Sequence, residues 1–194
     1  MSDTQTETKN QQETQTQVKS LDEGDDSVTV QLRLPNGKTY DLTRRQAEIS
    51  KLVHNALEDD KNKANNTYVI DIKTTGQHHE TKYDLVKVYD AIVSYMKHHD
   101  GKEAEMVEKP LKSNKMSENC KDPWDAKMVD DLDANDLGRA ELYGLVAEAN
   151  YLDINILLHL GCAKIASLIK GQPVDKIAEI LGKGKKKDQV EAKE

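Results

Sequence analysis

Strict alternation of apolar and polar side chains opens the part of the chain that can fold. Residues 28–34 read V-T-V-Q-L-R-L, a period of two that predicts a β-strand with one apolar face. Asn36 and Gly37 follow, and this dipeptide favours a tight hairpin turn because both residues tolerate a positive φ. The alternation resumes at Tyr40 and Leu42. The pattern therefore predicts a β-hairpin at the start of the folded region.

Helical spacing replaces the alternation after the hairpin. Thr43 and Gln46 form a T-x-x-Q capping box, which satisfies two free amide groups at the start of a helix. Ser50 is placed to cap a second helix over 51–58, whose apolar residues share one face. Three further elements are predicted in order along the chain: a strand over 68–72, a loop over 73–80 and a long amphipathic helix over 82–98.

The second half of the chain begins with a polar stretch and continues as helices. Residues 101–123 are rich in charged side chains and contain no aromatic residue, which predicts a linker. Trp124 is expected to anchor the end of this linker against the folded body. Helical segments are predicted from residue 136 onward. Local signals set their boundaries: Asp153 as the N-cap of a helix over 154–170, Gly171 as its stop, and Pro173 before a last helix over 174–181.

The helix predicted over 154–170 is apolar around more of its circumference than one buried face requires. Its leucine and isoleucine residues occur on more than one face. One face must pack on the body of the protein. The other needs cover of its own, because soluble monomers rarely expose a large apolar patch. The pattern therefore indicates a surface for a partner protein.

Composition narrows the classes to which the chain can belong. The 194 residues carry a net charge of −7, and only 36% of them are hydrophobic. Much of the polar excess lies at the two ends: residues 1–26 are predicted to be a disordered tail and residues 183–194 a basic tail. There is no apolar run of membrane-spanning length and no basic stripe, so neither a membrane nor a nucleic acid is an expected partner. No apolar signal segment follows Met1, so the expected location is the cytoplasm and nucleus.

Residue patterns typical of catalysis are missing from the sequence. There is no Gly-rich phosphate loop, no G-x-S-x-G and no H-E-x-x-H. The histidine pairs at 78–79 and 98–99 are interpreted as solvated loop or helix-end residues, because neighbours on a helix do not face one site. Cys120 and Cys162 form no disulfide or metal motif, and Cys162 is interpreted as a small buried hydrophobe. The acidic pair at 130–131 is interpreted as solvated charge. No enzymatic activity, cofactor, metal or small-molecule substrate is therefore expected.

Residues 149–154, A-N-Y-L-D-I, form the most specific motif of the chain. Four further matches occur around it in the order of a known family: Leu57-Glu58-Asp59, the run M-K-H-H over 96–99, Trp124-Asp125, and the run I-K-G over 169–171. In these residues the chain resembles the Skp adaptors of SCF ubiquitin ligases, the S-phase kinase-associated protein family. The resemblance covers about residues 28–182.

The resemblance implies an α+β fold. A BTB/POZ-type core, with a three-stranded sheet flanked by helices, precedes a C-terminal helical extension that binds the F-box. The implied division of the chain is a BTB/POZ-like domain over 27–100, a charged linker over 101–123, and a helical F-box-binding and dimerisation region over 124–182.

Members of this family are non-catalytic adaptors that bridge F-box substrate receptors to the N-terminal domain of a cullin. Asn150 and Tyr151 are carried over by position as cullin contacts. Helical spacing leaves a second interpretation open for each predicted contact residue, which is a place in the intramolecular core. The F-box-binding surface is expected to consist of residues of the C-terminal helices: Leu142, Tyr143, Val146, Leu158, Cys162, Ile165, Ile169, Ile177 and Leu181.

Several features depart from the family pattern. The family has a further Trp-bearing helix after the segment around Ile177, and this sequence does not match it. Glu148 stands where the family has a small residue, and the stretch from Trp124 to Leu142 is longer. One alternative is therefore a diverged paralogue that binds only one of the two partners. Another is a different BTB binding module, either an elongin-C-like protein or a homodimeric BTB scaffold, although an elongin-C-like module lacks the helices predicted over 136–181. An enzyme or metal protein built on the histidine pairs is a third.

Overall fold

The computed structural model describes residues 28–59, 66–78, 81–102, 104–134 and 139–181. Within these ranges the chain has the predicted α+β fold, with a three-stranded sheet followed by helices. The predicted disordered tail over 1–26 and the predicted basic tail over 183–194 lie outside the described residues.

The three-stranded sheet is built by the predicted hairpin and the predicted third strand. Strand β1 spans Thr29–Arg33, β2 spans Thr39–Thr43 and β3 spans Thr67–Asp71. β1 lies in the centre, antiparallel to β2 and parallel to β3, so that Val30 stands opposite both Leu42 and Tyr68. The predicted turn is confirmed at Gly37, whose φ of 87° suits a residue without a Cβ.

Helices α1 and α2 carry the caps that the sequence predicts. α1 spans Arg44–Ala47 and α2 spans Lys51–Asp59. Thr43 and Gln46 form both hydrogen bonds of the capping box. The buried Ser50 hydroxyl accepts a hydrogen bond from the backbone N–H of Val53 (3.2 Å) and donates one to the carbonyl oxygen of Leu152 (2.6 Å). Ser50 therefore joins the start of α2 to the C-terminal half of the chain.

The segment predicted as a loop over 73–80 contains half of a second, two-stranded sheet. β4 spans Gln77–His78 and pairs antiparallel with β5, which spans Thr81–Lys82. Strands of two residues are too short to show an alternating pattern, which is why the sequence predicted a loop. α3 spans Leu85–His99 and is capped by Asp84, so it begins three residues later than predicted.

The segment predicted as a charged linker over 101–123 packs along the body in its described part. Val107 and Met116 are buried in the same apolar core as residues of the sheet and the helices. Met116 also begins a short 3-10 turn over Met116–Glu118. Isolated apolar residues produce no periodic signal, so the sequence predicted a solvated linker where the structure has a packed segment.

Helix α4 spans Pro123–Ala134. It lies in the helical region over 124–182 that the resemblance implies, although the apolar pattern alone predicts helices only from residue 136 onward. Its start nevertheless carries a recognisable signal. Oδ1 of Asp122 accepts a hydrogen bond from the backbone N–H of Trp124 (2.8 Å), and a proline occupies the first helical position. The predicted anchoring role of Trp124 is confirmed, because its ring stacks on that of His98 with the centroids 4.2 Å apart.

The last three helices follow the predicted order. α5 spans Ala140–Tyr151, α6 spans Asn155–Ile169 and α7 spans Val174–Ile180. Gly171, with a φ of 74°, follows α6 as the predicted stop. The prediction that Asp153 caps α6 is wrong. Ile154 occupies the N-cap position without a side-chain hydrogen bond, and Asp153 adopts a φ of 52° and accepts from the side chain of Asn155.

One apolar core joins the sheet to the helices. It includes Leu32 of β1, Ile92 of α3, Leu145 of α5 and Leu157 of α6. Helices α4, α5 and α6 are therefore packed into the same unit as the sheet. Across the described ranges, none of the helices has both the length and the apolar character needed to cross a membrane.

Candidate partner-binding surface

The candidate surface is formed by α5, α6 and α7. α6 approaches α5 closely at Gly161, where an added Cβ would lie 2.8 Å from Cγ2 of Val146. The hydroxyl of Tyr143 on α5 donates a hydrogen bond to the carbonyl oxygen of Ile180 at the end of α7 (2.6 Å). These two contacts hold the three helices in a defined arrangement.

α6 buries one side and leaves the other partly open. The inward residues are Leu157, Leu160, Gly161, Ala163, Lys164 and Ser167. On the remaining surface Leu158, Ile165 and Ile169 are half-buried, and Cys162 is exposed. α6 therefore keeps apolar side chains within reach of solvent after its packing on the core is complete.

The structure separates the nine residues predicted to bind an F-box into two groups. Leu142 is fully buried. The prediction that it belongs to the F-box-binding surface is therefore wrong, and the alternative interpretation as a core residue is confirmed. It lies on the buried side of α5, beside Tyr143, which keeps part of its surface exposed. The others retain at least partial exposure: Tyr143, Val146, Leu158, Cys162, Ile165, Ile169, Ile177 and Leu181.

The two cysteines have different environments, and that of Cys162 differs from the prediction. Cys162 is exposed, so its interpretation as a buried hydrophobe is wrong. Neighbouring atoms still desolvate its sulfur enough to raise the pKa of the thiol. Burial raises the pKa of the Cys120 thiol to about 11. Both thiols are therefore protonated at neutral pH, which makes them poor nucleophiles.

α7 exposes apolar side chains at both of its ends. Val174 in the first turn is 80% exposed, and Leu181 just after the helix is 40% exposed. Leu181 belongs to the predicted F-box surface, whereas Val174 does not. The sequence missed Val174 because a helix of about two turns is too short for its pattern to separate an inward from an outward face.

Asn150 and Tyr151, predicted to contact a cullin, lie at the C-terminal end of α5. Asn150 is exposed, whereas Tyr151 is half-buried against the core. The Tyr151 hydroxyl accepts a hydrogen bond from the backbone N–H of Lys73, shortly after β3 (3.4 Å). This end of α5 is therefore attached to the sheet, while Tyr143, near the other end, is attached to α7.

Glu148 on α5 forms a buried polar cluster that the sequence did not predict. Its carboxylate accepts hydrogen bonds from the hydroxyls of Thr74 (2.9 Å), Tyr83 (2.6 Å) and Tyr89 (2.9 Å). Burial, together with the adjacent carboxylate, raises the pKa of both tyrosines, so both hydroxyls remain donors. The cluster joins α5 to α3 and to the segment before β4. Glu148 is larger than the residue in the family pattern, and three hydroxyl groups donate hydrogen bonds to its buried carboxylate.

A second polar cluster joins α6 to α4. The ammonium group of the buried Lys164 lies 2.9 Å from Oδ1 of Asp130 and 3.2 Å from Oδ2 of Asp133. Asp130 is therefore not only solvated charge: its side chain is 45% exposed, and it also pairs with a buried lysine. The two carboxylates compensate a cation that would be costly to bury alone. This ion pair fixes the inward face of α6 relative to α4.

Of the histidine pair at the end of α3, His99 is more enclosed than predicted, whereas His98 is exposed. His98 lies against Trp124, and the His99 side chain is 9% exposed and hydrogen-bonded to Asp125 (2.9 Å). Their placement at a helix end is confirmed, and their interpretation as solvated residues is wrong for His99. His78, the described member of the other pair, is exposed.

The chain is similar in sequence to known proteins. No family model matches the chain. The chain is 32% identical over 159 residues to the S-phase kinase-associated protein 1 homolog of Tetrahymena thermophila, which covers 81% of this chain and 82% of that protein. It is 27% identical over 150 residues to the E3 ubiquitin ligase complex SCF subunit sconC of Arthroderma otae. That alignment covers 76% of this chain and 78% of the relative. It is 35% identical over 81 residues to SKP1-like protein 13 of Arabidopsis thaliana. That alignment covers 40% of this chain and 50% of the relative.

Proposed function

Since this chain belongs to the S-phase kinase-associated protein 1 family, we propose that it is a non-catalytic adaptor of an SCF-type E3 ubiquitin ligase. In this role it joins an F-box substrate receptor to the N-terminal domain of a cullin and supports ubiquitin-dependent protein degradation. The name of the Arthroderma otae relative, a subunit of an SCF E3 ubiquitin ligase complex, supports this role. The observation that carries the proposal is the partly exposed apolar surface of α5, α6 and α7.

The F-box side of the proposal rests on aliphatic residues that the chain itself covers only in part. Val146 on α5 and Ile165 and Ile169 on α6 are half-buried. A few well-packed apolar anchors supply most of the binding free energy in a protein interface. An amphipathic helix of the partner is suited to such a surface, since its own apolar stripe is covered at the same time. The hydrogen bond from Tyr143 to α7 and the Lys164 ion pairs hold the surface in place before the partner arrives.

The cullin side of the proposal uses the opposite end of α5. Tyr143 and Tyr151 are eight residues apart, so they stand about 12 Å apart along the helix axis. Asn150 is exposed at the sheet end and is available to a second partner. Two partners therefore have separate contact regions on one rigid helix, as a bridging subunit requires.

An adaptor that binds only one of the two partners is the alternative function. It keeps the same fold and differs only in which end of α5 is occupied. An elongin-C-like module is less compatible with the chain, because α4, α5 and α6 contribute residues to the same core as the sheet. Deleting these helices would remove a large part of that core.

Alkylation of Cys162 tests the F-box contact directly, because this residue is exposed and lies on the proposed surface. We expect an F-box domain at about 100 times its Kd to slow iodoacetamide labelling of Cys162 about 100-fold, in proportion to the free fraction of the chain. Cys120 lies in the packed segment before α4 and serves as the internal control. Mass spectrometry of the two cysteine peptides gives both rates. Equal labelling of Cys162 in the free chain and in a saturated complex would remove it from the contact surface.

A further inference from the structure

Three potential metal ligands converge where α3 ends and α4 begins. His98 and His99 are the last two residues of α3, and Asp122 immediately precedes α4. One coordinating atom of each residue lies within 4.8 Å of the other two. Nε2 of His98 is 2.7 Å from Oδ2 of Asp122. Neighbours on a helix ordinarily face different directions, but here the carboxylate of Asp122, just before α4, lies within reach of both rings.

The side chains of this cluster are held by contacts outside it. Oδ1 of Asp122 is occupied by the backbone N–H of Trp124 (2.8 Å), which leaves Oδ2 facing His98. The indole of Trp124 stacks on the His98 ring at an interplanar angle of 9°. Oδ1 of Asp125 lies 2.9 Å from Nε2 of His99. A carboxylate beside a coordinating imidazole orients the ring and raises its basicity, which is the usual surrounding of a protein metal site.

A solvent-connected cavity of about 420 Å³ adjoins the cluster. His98, His99 and Asp122 all line it, together with Cys120 and Asp125. The cavity provides an entry path for an ion and room for a water molecule as a further ligand. Lysines also line it, and one of them, Lys121, is paired with Glu105.

The donor set identifies the class of ion. Two imidazoles and one carboxylate suit Zn²⁺ and its first-row neighbours, whereas Mg²⁺ and Ca²⁺ prefer oxygen ligands alone. We propose that His98, His99 and Asp122 form a binding site for a divalent transition metal ion, with Zn²⁺ as the ion best matched to it. The three ligands come from two segments of the chain, so a bound ion links the end of α3 to the residues just before α4. Its role is therefore structural, and it is independent of the adaptor function proposed above.

Trp124 provides a local probe of this site. It is the only tryptophan of the chain, and its ring lies against His98. The untagged full chain is freed of metal with EDTA and titrated with Zn²⁺ by calorimetry and with Co²⁺ by visible absorption, while tryptophan emission is followed. We expect one ion per chain, a change in Trp124 emission that saturates at the same ratio, and a higher unfolding temperature in Zn²⁺.

Matched variants locate the binding. His98→Asn and Asp122→Asn are expected to weaken Zn²⁺ binding at least roughly 100-fold, and Asp125→Asn about 10- to 100-fold, as is typical of an orienting carboxylate. Asp122→Asn retains an oxygen that accepts the N–H of Trp124, so it is expected to keep the start of α4 intact. It is therefore the variant that tests Zn²⁺ binding if His98→Asn fails to fold. His54→Asn on α2 is the control and should bind like the unmodified chain. The proposal is overturned if the unmodified chain binds no Zn²⁺, or if Asp122→Asn binds it as well as the His54→Asn control.

Discussion

Replacement of Ile165 by aspartate is expected to weaken binding of an F-box domain at least about 100-fold, equivalent to about 2.7 kcal/mol. Ile165 lies on the partly open surface of α6, between Cys162 and Ile169. In the complex the new carboxylate would lose its hydration without gaining a partner, and burial of an unpaired charge is among the most costly changes at an interface. Calorimetric titration of the folded variant with the F-box domain measures the effect.

Two further variants separate binding from folding. Val69→Asp introduces the same charge at an apolar residue that is 44% exposed on β3, away from the proposed surface, and should leave the affinity unchanged. Ile165→Ala removes the side chain without adding charge, so it is the variant to use if Ile165→Asp unfolds. We expect it to weaken binding about tenfold. An unchanged affinity in a folded Ile165→Asp variant would show that α6 does not contact the F-box through this residue.

Replacement of Glu148 by alanine is expected to destabilise the fold by about 3 kcal/mol, because it leaves buried hydroxyl donors without an acceptor. The substitution deprives three hydroxyl groups of their acceptor, and a buried donor without a partner costs about 1–3 kcal/mol. Tyr89 is fully buried and has no direct access to solvent, so it suffers most. Denaturation in urea at neutral pH, followed by circular dichroism, gives the free energy of unfolding.

The controls for Glu148 follow from its partners. Glu148→Gln retains one acceptor oxygen and should cost less than the alanine variant. Tyr83→Phe removes one of the three hydrogen bonds and should cost about 1–2 kcal/mol. Glu58→Ala changes an exposed glutamate on α2 and should stay within about 0.5 kcal/mol of the unmodified chain. If Glu148→Ala were as stable as Glu58→Ala, the carboxylate cluster would not contribute to folding.

The sequence predicts elements well where the information is local. The alternation over 28–34, the Asn36–Gly37 turn and the Thr43 capping box each depend on neighbouring residues, and each is present in the structure. β4 and β5 were missed because two residues show no period. Val107 and Met116 were missed as core residues because they become buried only through contacts with distant parts of the chain.

The candidate surface is less predictable, because the exposed and buried faces of an apolar helix have the same composition. Leu142 and Tyr143 are adjacent in sequence, yet the first is fully buried and the second is not. Which residue faces inward depends on the helices that pack against α5, and periodicity alone does not identify them. The donors to Glu148 lie 59 to 74 residues away, so nothing near it in sequence indicates the cluster.

Co-elution of the full chain with an F-box domain and a cullin N-terminal domain is the most direct test of the bridging role. The three proteins are mixed together and in pairs, and separated by size exclusion. A bridging adaptor predicts one peak that contains all three, binary peaks with each partner, and no peak that contains the F-box and cullin domains without the adaptor. A peak with only one partner would contradict bridging and favour the one-partner alternative, and no peak with either would contradict the proposed function altogether.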